Sequence, residues 1–303
     1  MQYDELSVLA EKLGCTVMYD EPLCRHTTFH IGGPCSMMII PSSCGSLVEL
    51  IRFIRSNEIR YLIMGKGSNM LCADEGFEGV VLLIDQTMGE VELVSDDTIR
   101  AEAAASLITV CRKALEAALT GIEFAYGIPG TVGGGVYMNA GAYNGEMKDI
   151  VTSVTALGND GEIHTYSSDE LDFDYRTSRF EKTGEIILSC ELKLEKGQKT
   201  DIEAKMNDLI GRRKSKQPLE YPSAGSTFKR PVDNFAGKLI QDSGMRGFTV
   251  GGAQVSEKHC GFVINKGEAT CNDVITLVNK VKETVFEKTG VELECEIRII
   301  PYK

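Results

Sequence analysis

The sequence lacks features on which several large classes of proteins depend. No apolar run approaches the roughly 18–20 residues of a membrane-spanning helix. Residues 1–5 are acidic and have no apolar core, which is unlike a signal peptide. Positive charge is scarce, since 32 Lys and Arg stand against 44 Asp and Glu and the formal net charge is −12. We therefore expect a cytoplasmic protein that neither enters a membrane nor coats nucleic acid.

Metal sites and common nucleophile motifs are also missing. The ten cysteines form no Cys-x-x-Cys pair, and only four histidines are present, so zinc-ligand spacing is absent. A chain of 303 residues does not need a disulfide framework, and we expect reduced, mostly buried cysteines and no metal. Neither a phosphate-binding P-loop nor the G-x-S-x-G elbow of hydrolases occurs.

Apolar periodicity predicts helices and strands along the whole chain. A helix follows Ser43 or Ser46, which could cap it, and the strongest helical pattern covers residues 274–286 and stops at Gly290. Residues 91–101 predict a β-hairpin, and residues 196–201 form a polar break. The final predicted strand covers residues 292–299, where alternation would place Glu294, Glu296 and Arg298 on one face.

Two glycine-rich segments are candidates for ligand contact. Residues 65–69 (Gly-Lys-Gly-Ser-Asn) follow a buried strand, and their N–H groups could approach a phosphate. Met70 replaces the third glycine of the dinucleotide fingerprint, and a glycine-rich turn after a strand is more often only a turn. Residues 127–142 interleave glycine with Ile, Pro, Val, Tyr and Met, which predicts a shaped apolar loop rather than a linker. Such a loop favours a large flat or anionic ligand lying against backbone.

These segments together resemble one enzyme family from about residue 20 to the C-terminus. The blocks are TTFHIGG, GKGSN, GIEFAYGIPGTVGGGVYMNAGA, YRTS, PSAGSTFKRP, GGAQVSEKHCGFVIN and LECEIR. They occur in the order seen in the UDP-N-acetylenolpyruvoylglucosamine reductases (the MurB family). The resemblance implies an α+β fold with three domains. Two α/β subdomains would form an FAD-binding fold of the vanillyl-alcohol-oxidase type, at residues 1–85 with 297–303 and at residues 86–199. A C-terminal α+β domain at residues 200–296 would bind the UDP-sugar.

The resemblance also implies the reaction and its residues. NADPH would reduce noncovalently bound FAD, which would reduce the enolpyruvyl ether of UDP-N-acetylglucosamine to UDP-N-acetylmuramate, a step in peptidoglycan precursor synthesis. Arg176 would stabilise the substrate enolate, Glu296 would be its acidic partner, and Ser226 would donate a proton. The matching FAD positions are Gly65, Gly67, Ser68, Asn69, Pro129, Gly130, Thr131, Gly134 and Arg213. The matching substrate positions are Tyr175, Gln217, Lys229, His259 and Arg298.

Several alternatives stay open at this point. His259 could instead be a structural hydrogen-bonding residue. The chain could be another FAD oxidoreductase that oxidises a hydroxy acid or lactone and passes electrons to oxygen, or a flavin-binding or nucleotide-binding module without catalytic activity. Only 33 residues separate Ser178 from Arg212, so the chain resembles the shorter family form without an inserted tyrosine loop. Arg230 stands where some relatives have Asn. We expect a small-molecule substrate and no obligatory protein partner.

Overall fold

The computed structural model describes residues 2–303; Met1, the first residue of the first predicted domain, lies outside the described residues. The helices are α1 Gln2–Lys12, α2 Cys44–Ser56, α3 Leu107–Glu116, α4 Val132–Tyr137, α5 Arg179–Thr183, α6 Lys199–Lys216, α7 Ala236–Asp242 and α8 Cys271–Thr289. The strands are β1 Thr16–Pro22, β2 Pro34–Ile40, β3 Tyr61–Met64, β4 Met70–Cys72, β5 Phe77–Leu83, β6 Val91–Leu93, β7 Thr98–Glu102, β8 Leu119–Thr120, β9 Gly141–Ala142, β10 Gly145–Glu146, β11 Val151–Leu157, β12 Ile163–Ser167, β13 Ile186–Lys193, β14 Glu195–Lys196, β15 Thr249–Val250, β16 Ala253–Val255, β17 Val263–Asn265 and β18 Arg298–Ile300.

The chain divides into two compact units that alternate along the sequence. Unit A contains residues 2–18, 37–65 and 80–213, and unit B contains residues 19–36, 66–79 and 214–303. The three-domain division expected from the resemblance stays a prediction.

Unit A is built on β-sheets with helices packed against them. A five-stranded antiparallel sheet has the order β12-β11-β13-β7-β6, and the buried residues of α3, α4 and these strands form one apolar core. A second core lies around α2 and the parallel pair β3 and β5, which belong to a sheet of order β1-β2-β5-β3. Apolar residues recur along α2 at helical spacing, so one face of the helix is buried in this core.

Unit B has a core of its own, centred on α8. Val274, Leu277, Val278, Val281 and Val285 lie on the buried face of this helix and pack with residues of α7, β16 and β17. Strands β15, β16 and β17 form a small antiparallel sheet. The last strand, β18, pairs in parallel with β4, and Arg298 lies opposite Met70.

The local signals for helix ends were reliable. Ser43 and Ser46 form a reciprocal capping box at the start of α2, in which each side chain accepts the backbone N–H of the other. Gly290 ends α8 in the left-handed conformation with φ +70°, and its N–H donates to Phe286. The hairpin predicted near residues 91–101 is formed by β6 and β7.

Two predictions were wrong in extent. Regular strand structure at the C-terminus begins only at Arg298, because residues 294–296 bond to the segment 227–229 and the chain then changes partner to β4. The segment 127–142 is also not wholly a loop, since it contains α4, which is capped by Thr131.

Candidate functional site

The glycine-rich segment of unit A, residues 127–142, is held by backbone hydrogen bonds to the residues that follow β7. Val132 and Gly133 donate their N–H groups to Ala105 and Ala103, each at 2.8 Å. A Cβ at Gly133 would lie 3.0 Å from the Ala103 Cβ, so the segment lies directly on β7 and the residues after it. The predicted cofactor residues Pro129, Gly130, Thr131 and Gly134 therefore belong to a segment that is hydrogen-bonded to the residues after β7.

Thr131 joins this segment to the first predicted cofactor loop. Its Oγ1 accepts the N–H of Gly134 at 3.2 Å and so caps α4. A Cβ at Gly65 would lie 2.8 Å from the same oxygen, a distance that real Cβ atoms essentially never show. Glycine is required at position 65 because Thr131 occupies the space of a side chain. The structure thus brings Gly65 and Thr131 together, as one contiguous cofactor site would require.

Arg213 is the buried cation of unit A. Its side chain is at the inner face of α6, with only 7% of the residue exposed, and its guanidinium carbon lies 5.9 Å from the Tyr143 ring centre. A Cβ at Gly127 would meet Ile210 at 2.5 Å and the Arg213 Cδ at 3.3 Å, so α6 packs tightly on the glycine-rich segment. Burial lowers the pKa of Arg213, and a bound anion would favour its charged form.

Arg176 is at an unusual backbone position in unit A. Its φ is +57°, which a non-glycine residue adopts rarely and at some energetic cost. The half-buried guanidinium donates from Nη2 to the carbonyl of Gly141 at 3.0 Å and lies 5.1 Å from the ring centre of Tyr175. Tyr175 is exposed. Strain of this kind tends to occur at functional sites, so the geometry fits the predicted role of Arg176.

The remaining part of the first loop belongs to unit B. Gly67 has φ +56°, which glycine adopts without strain, and its carbonyl accepts the N–H of Thr28 at 3.4 Å. Asn69 donates from Nδ2 to the carbonyl of Glu296 at 3.1 Å and accepts the N–H of Arg298 at 2.9 Å. The loop of Gly67, Ser68 and Asn69 is therefore tied to the segment that carries Glu296 and Arg298.

Thr227 connects the predicted proton donor to the predicted acidic residue in unit B. Thr227 is 1% exposed. Its N–H donates to Gly261 at 2.8 Å, its Oγ1 accepts the N–H of Val263 at 2.9 Å, and its carbonyl accepts the N–H of Glu296 at 2.9 Å. Ser226, the preceding residue, is half-buried. Because Thr227 directly follows Ser226, its hydrogen bond to Glu296 holds the backbones of Ser226 and Glu296 close together.

Lys229 lies on the same pair of segments but already has a carboxylate partner. Its N–H donates to the carbonyl of Glu294 at 2.8 Å, and its Nζ lies 2.5 Å from Oε1 of the same residue. The pair is partly exposed. An anionic ligand at Lys229 would compete with Glu294 for this ammonium group.

His259 has one ring nitrogen engaged by the protein. Its Nδ1 accepts the N–H of Gly261 at 3.1 Å, and the ring meets Phe262 edge to face with 5.1 Å between ring centres. Burial lowers the pKa of His259, and the nearby charge of Lys216 lowers it further. The neutral ring therefore carries its proton on Nε2, which leaves one donor for a ligand.

The predicted site residues fall into two groups. Unit A carries Gly65, Pro129, Gly130, Thr131, Gly134, Tyr175, Arg176 and Arg213, and unit B carries Gly67, Ser68, Asn69, Gln217, Ser226, Lys229, His259, Glu296 and Arg298. In unit B, Gln217 starts the segment that leads to Ser226, and its carbonyl accepts the N–H of Leu219. Sequence reasoning missed Thr227 and Asn139, two buried polar residues inside the motifs whose only signal was a polar side chain in an apolar or glycine-rich context.

Neither a metal-binding cluster nor a membrane-spanning helix is found among residues 2–303. Within residues 2–303, no three His, Cys, Asp or Glu side chains are grouped so that they could hold a metal ion. Over the same residues, none of the helices has both the length and the apolar character needed to cross a membrane.

Comparison with known proteins identifies the family. Residues 35–167 match the model of an FAD binding domain, and residues 217–300 match that of the UDP-N-acetylenolpyruvoylglucosamine reductase C-terminal domain. The UDP-N-acetylenolpyruvoylglucosamine reductase of Agathobacter rectalis is 48% identical over 94% of each chain. That of Caldanaerobacter subterraneus is 47% identical over 94% of this chain and 93% of the relative.

A solved structure agrees with these sequence matches. The crystal structure of UDP-N-acetylenolpyruvylglucosamine reductase (MurB) from Thermus caldophilus superposes with a TM-score of 0.81 at 33% identity, covering 95% of this chain and 99% of that chain. The predicted α+β fold with an FAD-binding domain is thereby confirmed. The chain belongs to the UDP-N-acetylenolpyruvoylglucosamine reductase family.

Proposed function

We propose that this protein is an FAD-dependent reductase that uses NADPH to convert the enolpyruvyl ether of UDP-N-acetylglucosamine to the lactyl ether of UDP-N-acetylmuramate, for peptidoglycan precursor synthesis. The observation that carries the proposal is 48% identity to a reductase of that name over 94% of both chains. The three residues with proposed chemical roles, Arg176, Ser226 and Glu296, are all present in that framework.

The residues of unit A fit FAD. A dinucleotide cofactor has a flat ring system and two negatively charged phosphates, so it needs close backbone approach and a cation. The contact between Gly65 and Thr131 brings the two glycine-containing segments together, and the buried guanidinium of Arg213 supplies positive charge. We assign the flavin contacts to the positions that match the family, Gly65, Gly67, Ser68, Asn69, Pro129, Gly130, Thr131, Gly134 and Arg213.

The chain's own residues have distinct tasks. When bound, FAD supplies the two-electron carrier between NADPH and the sugar nucleotide. Hydride addition to the terminal vinyl carbon leaves negative charge on the neighbouring carbon and its carboxylate. The guanidinium of Arg176 stabilises that charge as a positioned cation. The Ser226 hydroxyl holds the proton that completes the reduction at this carbon, and Glu296 is the acidic partner.

The remaining assignments concern binding of the UDP-sugar. We assign Tyr175, Gln217, Lys229, His259 and Arg298 to the substrate pocket. The free Nε2 donor of His259 is compatible with this assignment even though Nδ1 is engaged by Gly261. We expect the enzyme to work in the cytoplasm on this small-molecule substrate, without an obligatory protein partner.

The test is an anaerobic flavin assay on the purified wild-type protein. NADPH should bleach the yellow colour, and the enolpyruvyl UDP-sugar should restore it. If the UDP-sugar fails to restore the colour and only later admission of oxygen does so, the protein is instead an oxidase of the wider flavoprotein group. Absence of bleaching by NADPH would indicate a silent flavin-binding module. Either of these results would overturn the proposal.

A further inference from the structure

The backbone around Arg176 forms a closed four-residue turn. Asp174 and Thr177 exchange hydrogen bonds, with N–H to carbonyl distances of 3.2 and 3.3 Å. The Asp174 carboxylate accepts the N–H of Tyr175 at 2.7 Å. Arg176 occupies the strained left-handed position of this turn, with φ +57°. A strained turn keeps its conformation only when the surrounding structure holds it, so the groups that hold it determine where the guanidinium points.

Asn139 is the buried group that holds this turn from the glycine-rich segment. Asn139 is 0% exposed. Its side-chain amide makes three hydrogen bonds, two as donor and one as acceptor. Nδ2 donates to the carbonyl of Asp174 at 3.0 Å and to Oε2 of Glu146 at 2.9 Å, and Oδ1 accepts the N–H of Lys148 at 2.9 Å. The turn, the β9–β10 hairpin and the residues after it are thus joined by one side chain.

The same neighbourhood holds the Arg176 side chain. Gly141, two residues after Asn139, accepts the guanidinium at its carbonyl. A Cβ at Gly141 would lie 2.8 Å from the Glu146 Cβ and from the Gly145 carbonyl oxygen, so the hairpin has little freedom to move. Glu146, which Asn139 binds, pairs with Gly141 in that hairpin. Asn139 therefore helps to fix the backbone of Arg176, through the turn at Asp174, and its guanidinium, through the hairpin that contains Gly141.

We propose that Asn139 is a positioning residue for sugar reduction, which acts by fixing Arg176. The inference rests on the proposed function and extends it to a residue that makes no assigned contact with cofactor or substrate. Position 139 also has φ +44°, a conformation that asparagine tolerates better than most residues. This backbone requirement alone explains Asn or Gly, but it does not explain the three hydrogen bonds.

Replacement by aspartate isolates the donor function of the amide. Asn139→Asp keeps the acceptor for Lys148 but turns the two donor contacts into contacts between acceptors, at Asp174 and Glu146. The turn must shift or the carboxyl must take up a proton. Displacement of a positioned catalytic group by about 1 Å lowers a rate by roughly 100-fold. We expect the return of flavin colour on adding the enolpyruvyl UDP-sugar to slow by roughly 10–100-fold, while bleaching by NADPH stays near the wild-type rate.

A double-mutant cycle separates positioning from general damage. In an Arg176→Lys background the planar fork is already lost, so adding Asn139→Asp should slow recolouring little further. Tyr166→Phe is the matched control, because it removes the hydroxyl that donates to the buried carboxylate of Glu185 in the same unit, and neither residue belongs to the turn. It should change neither half-reaction by more than a small factor.

Each outcome decides the matter. Equal slowing of both half-reactions, or an undiminished effect of Asn139→Asp in the Arg176→Lys background, would overturn the inference. If Asn139→Asp does not fold, Asn139→Gly replaces it, since glycine accepts the positive φ and removes all three amide bonds. If neither variant folds, Asn139 is a folding residue and the inference is wrong. Wild-type protein that bleaches but does not recolour overturns the proposed function, and this inference with it.

Discussion

Ser226 is the residue that tests proton transfer most directly. Ser226→Ala should leave bleaching by NADPH nearly unchanged, because no proton reaches the sugar in that half-reaction. Recolouring by the enolpyruvyl substrate should fall by roughly 10²–10⁴-fold, the usual contribution of one positioned acid. Ser226→Cys should recover part of the rate, since a thiol is a stronger acid of similar size. Stopped-flow absorbance measures both steps, and a normal recolouring rate in Ser226→Ala would remove Ser226 from the mechanism.

His259 predicts a pH dependence of stability. Because its pKa is lowered in the folded protein, the unfolded chain binds a proton more readily as the pH falls below about 7. The free energy of unfolding should therefore fall as the pH is lowered through roughly 6.5, and this contribution should be absent above it. His259→Gln should reduce the dependence. Denaturant midpoints at about pH 7.5 and about pH 5.5 measure it, and an unchanged dependence in the variant would contradict the prediction.

At the scale of elements, α8 depends on a capping interaction from a distant part of unit B. Both carboxylate oxygens of Asp74 accept N–H groups of the first turn, Cys271 at 2.7 Å and Asn272 at 3.1 Å. Thr270 provides the local cap. Asp74→Ala should lower the free energy of unfolding by about 1–2 kcal/mol, through lost hydrogen bonds and lost charge at the helix N-terminus.

The matched control for that prediction is on the same helix. Glu287 is an exposed carboxylate in the last turns of α8, and Glu287→Ala should change stability by less than about 0.5 kcal/mol. Urea denaturation measures both variants. Equal midpoints for Asp74→Ala and the wild type would show that the Asp74 contacts contribute nothing to stability.

Element prediction succeeded where the signal is local. The capping serines of α2 and the stop at Gly290 act within one helical turn, so the sequence carries the whole interaction. The prediction of one terminal strand was wrong because residues 294–296 and 298–300 pair with different segments. Alternation of apolar and charged residues does not reveal such a change of partner. Helix α4 was missed because consecutive glycines oppose helix formation; here the Thr131 cap and the bonds to Ala103 and Ala105 prevail.

At the scale of the whole molecule, the resemblance to a family predicts the reaction, but it does not predict the hydrogen bonds that hold the site residues in place. The motifs predict roles for Ser226 and Glu296, but the hydrogen bond that holds Glu296 beside this segment is accepted by the carbonyl of Thr227. Likewise, Asn139 meets Asp174 across 35 positions of sequence. Such contacts depend on tertiary packing, which periodicity and local composition do not encode.

The flavin should be held without a covalent bond. No His or Cys occurs between residues 112 and 163. Cys72, near the first loop, is fully buried, and burial raises its pKa to about 12, which leaves the thiol unreactive. Acid precipitation should release all the yellow colour into the supernatant. Colour retained in the protein pellet would contradict the prediction and point to His30 or another nearby side chain.

In the proposed reaction, electrons from NADPH reach the enolpyruvyl carbon–carbon double bond of a UDP-sugar. The most direct measurement is anaerobic turnover of the wild-type protein with limiting NADPH, followed by mass analysis of the sugar nucleotide. We expect one product molecule for each NADPH consumed, heavier than the substrate by two hydrogen atoms. NADPH consumption that requires oxygen, with the UDP-sugar recovered unchanged, would contradict it.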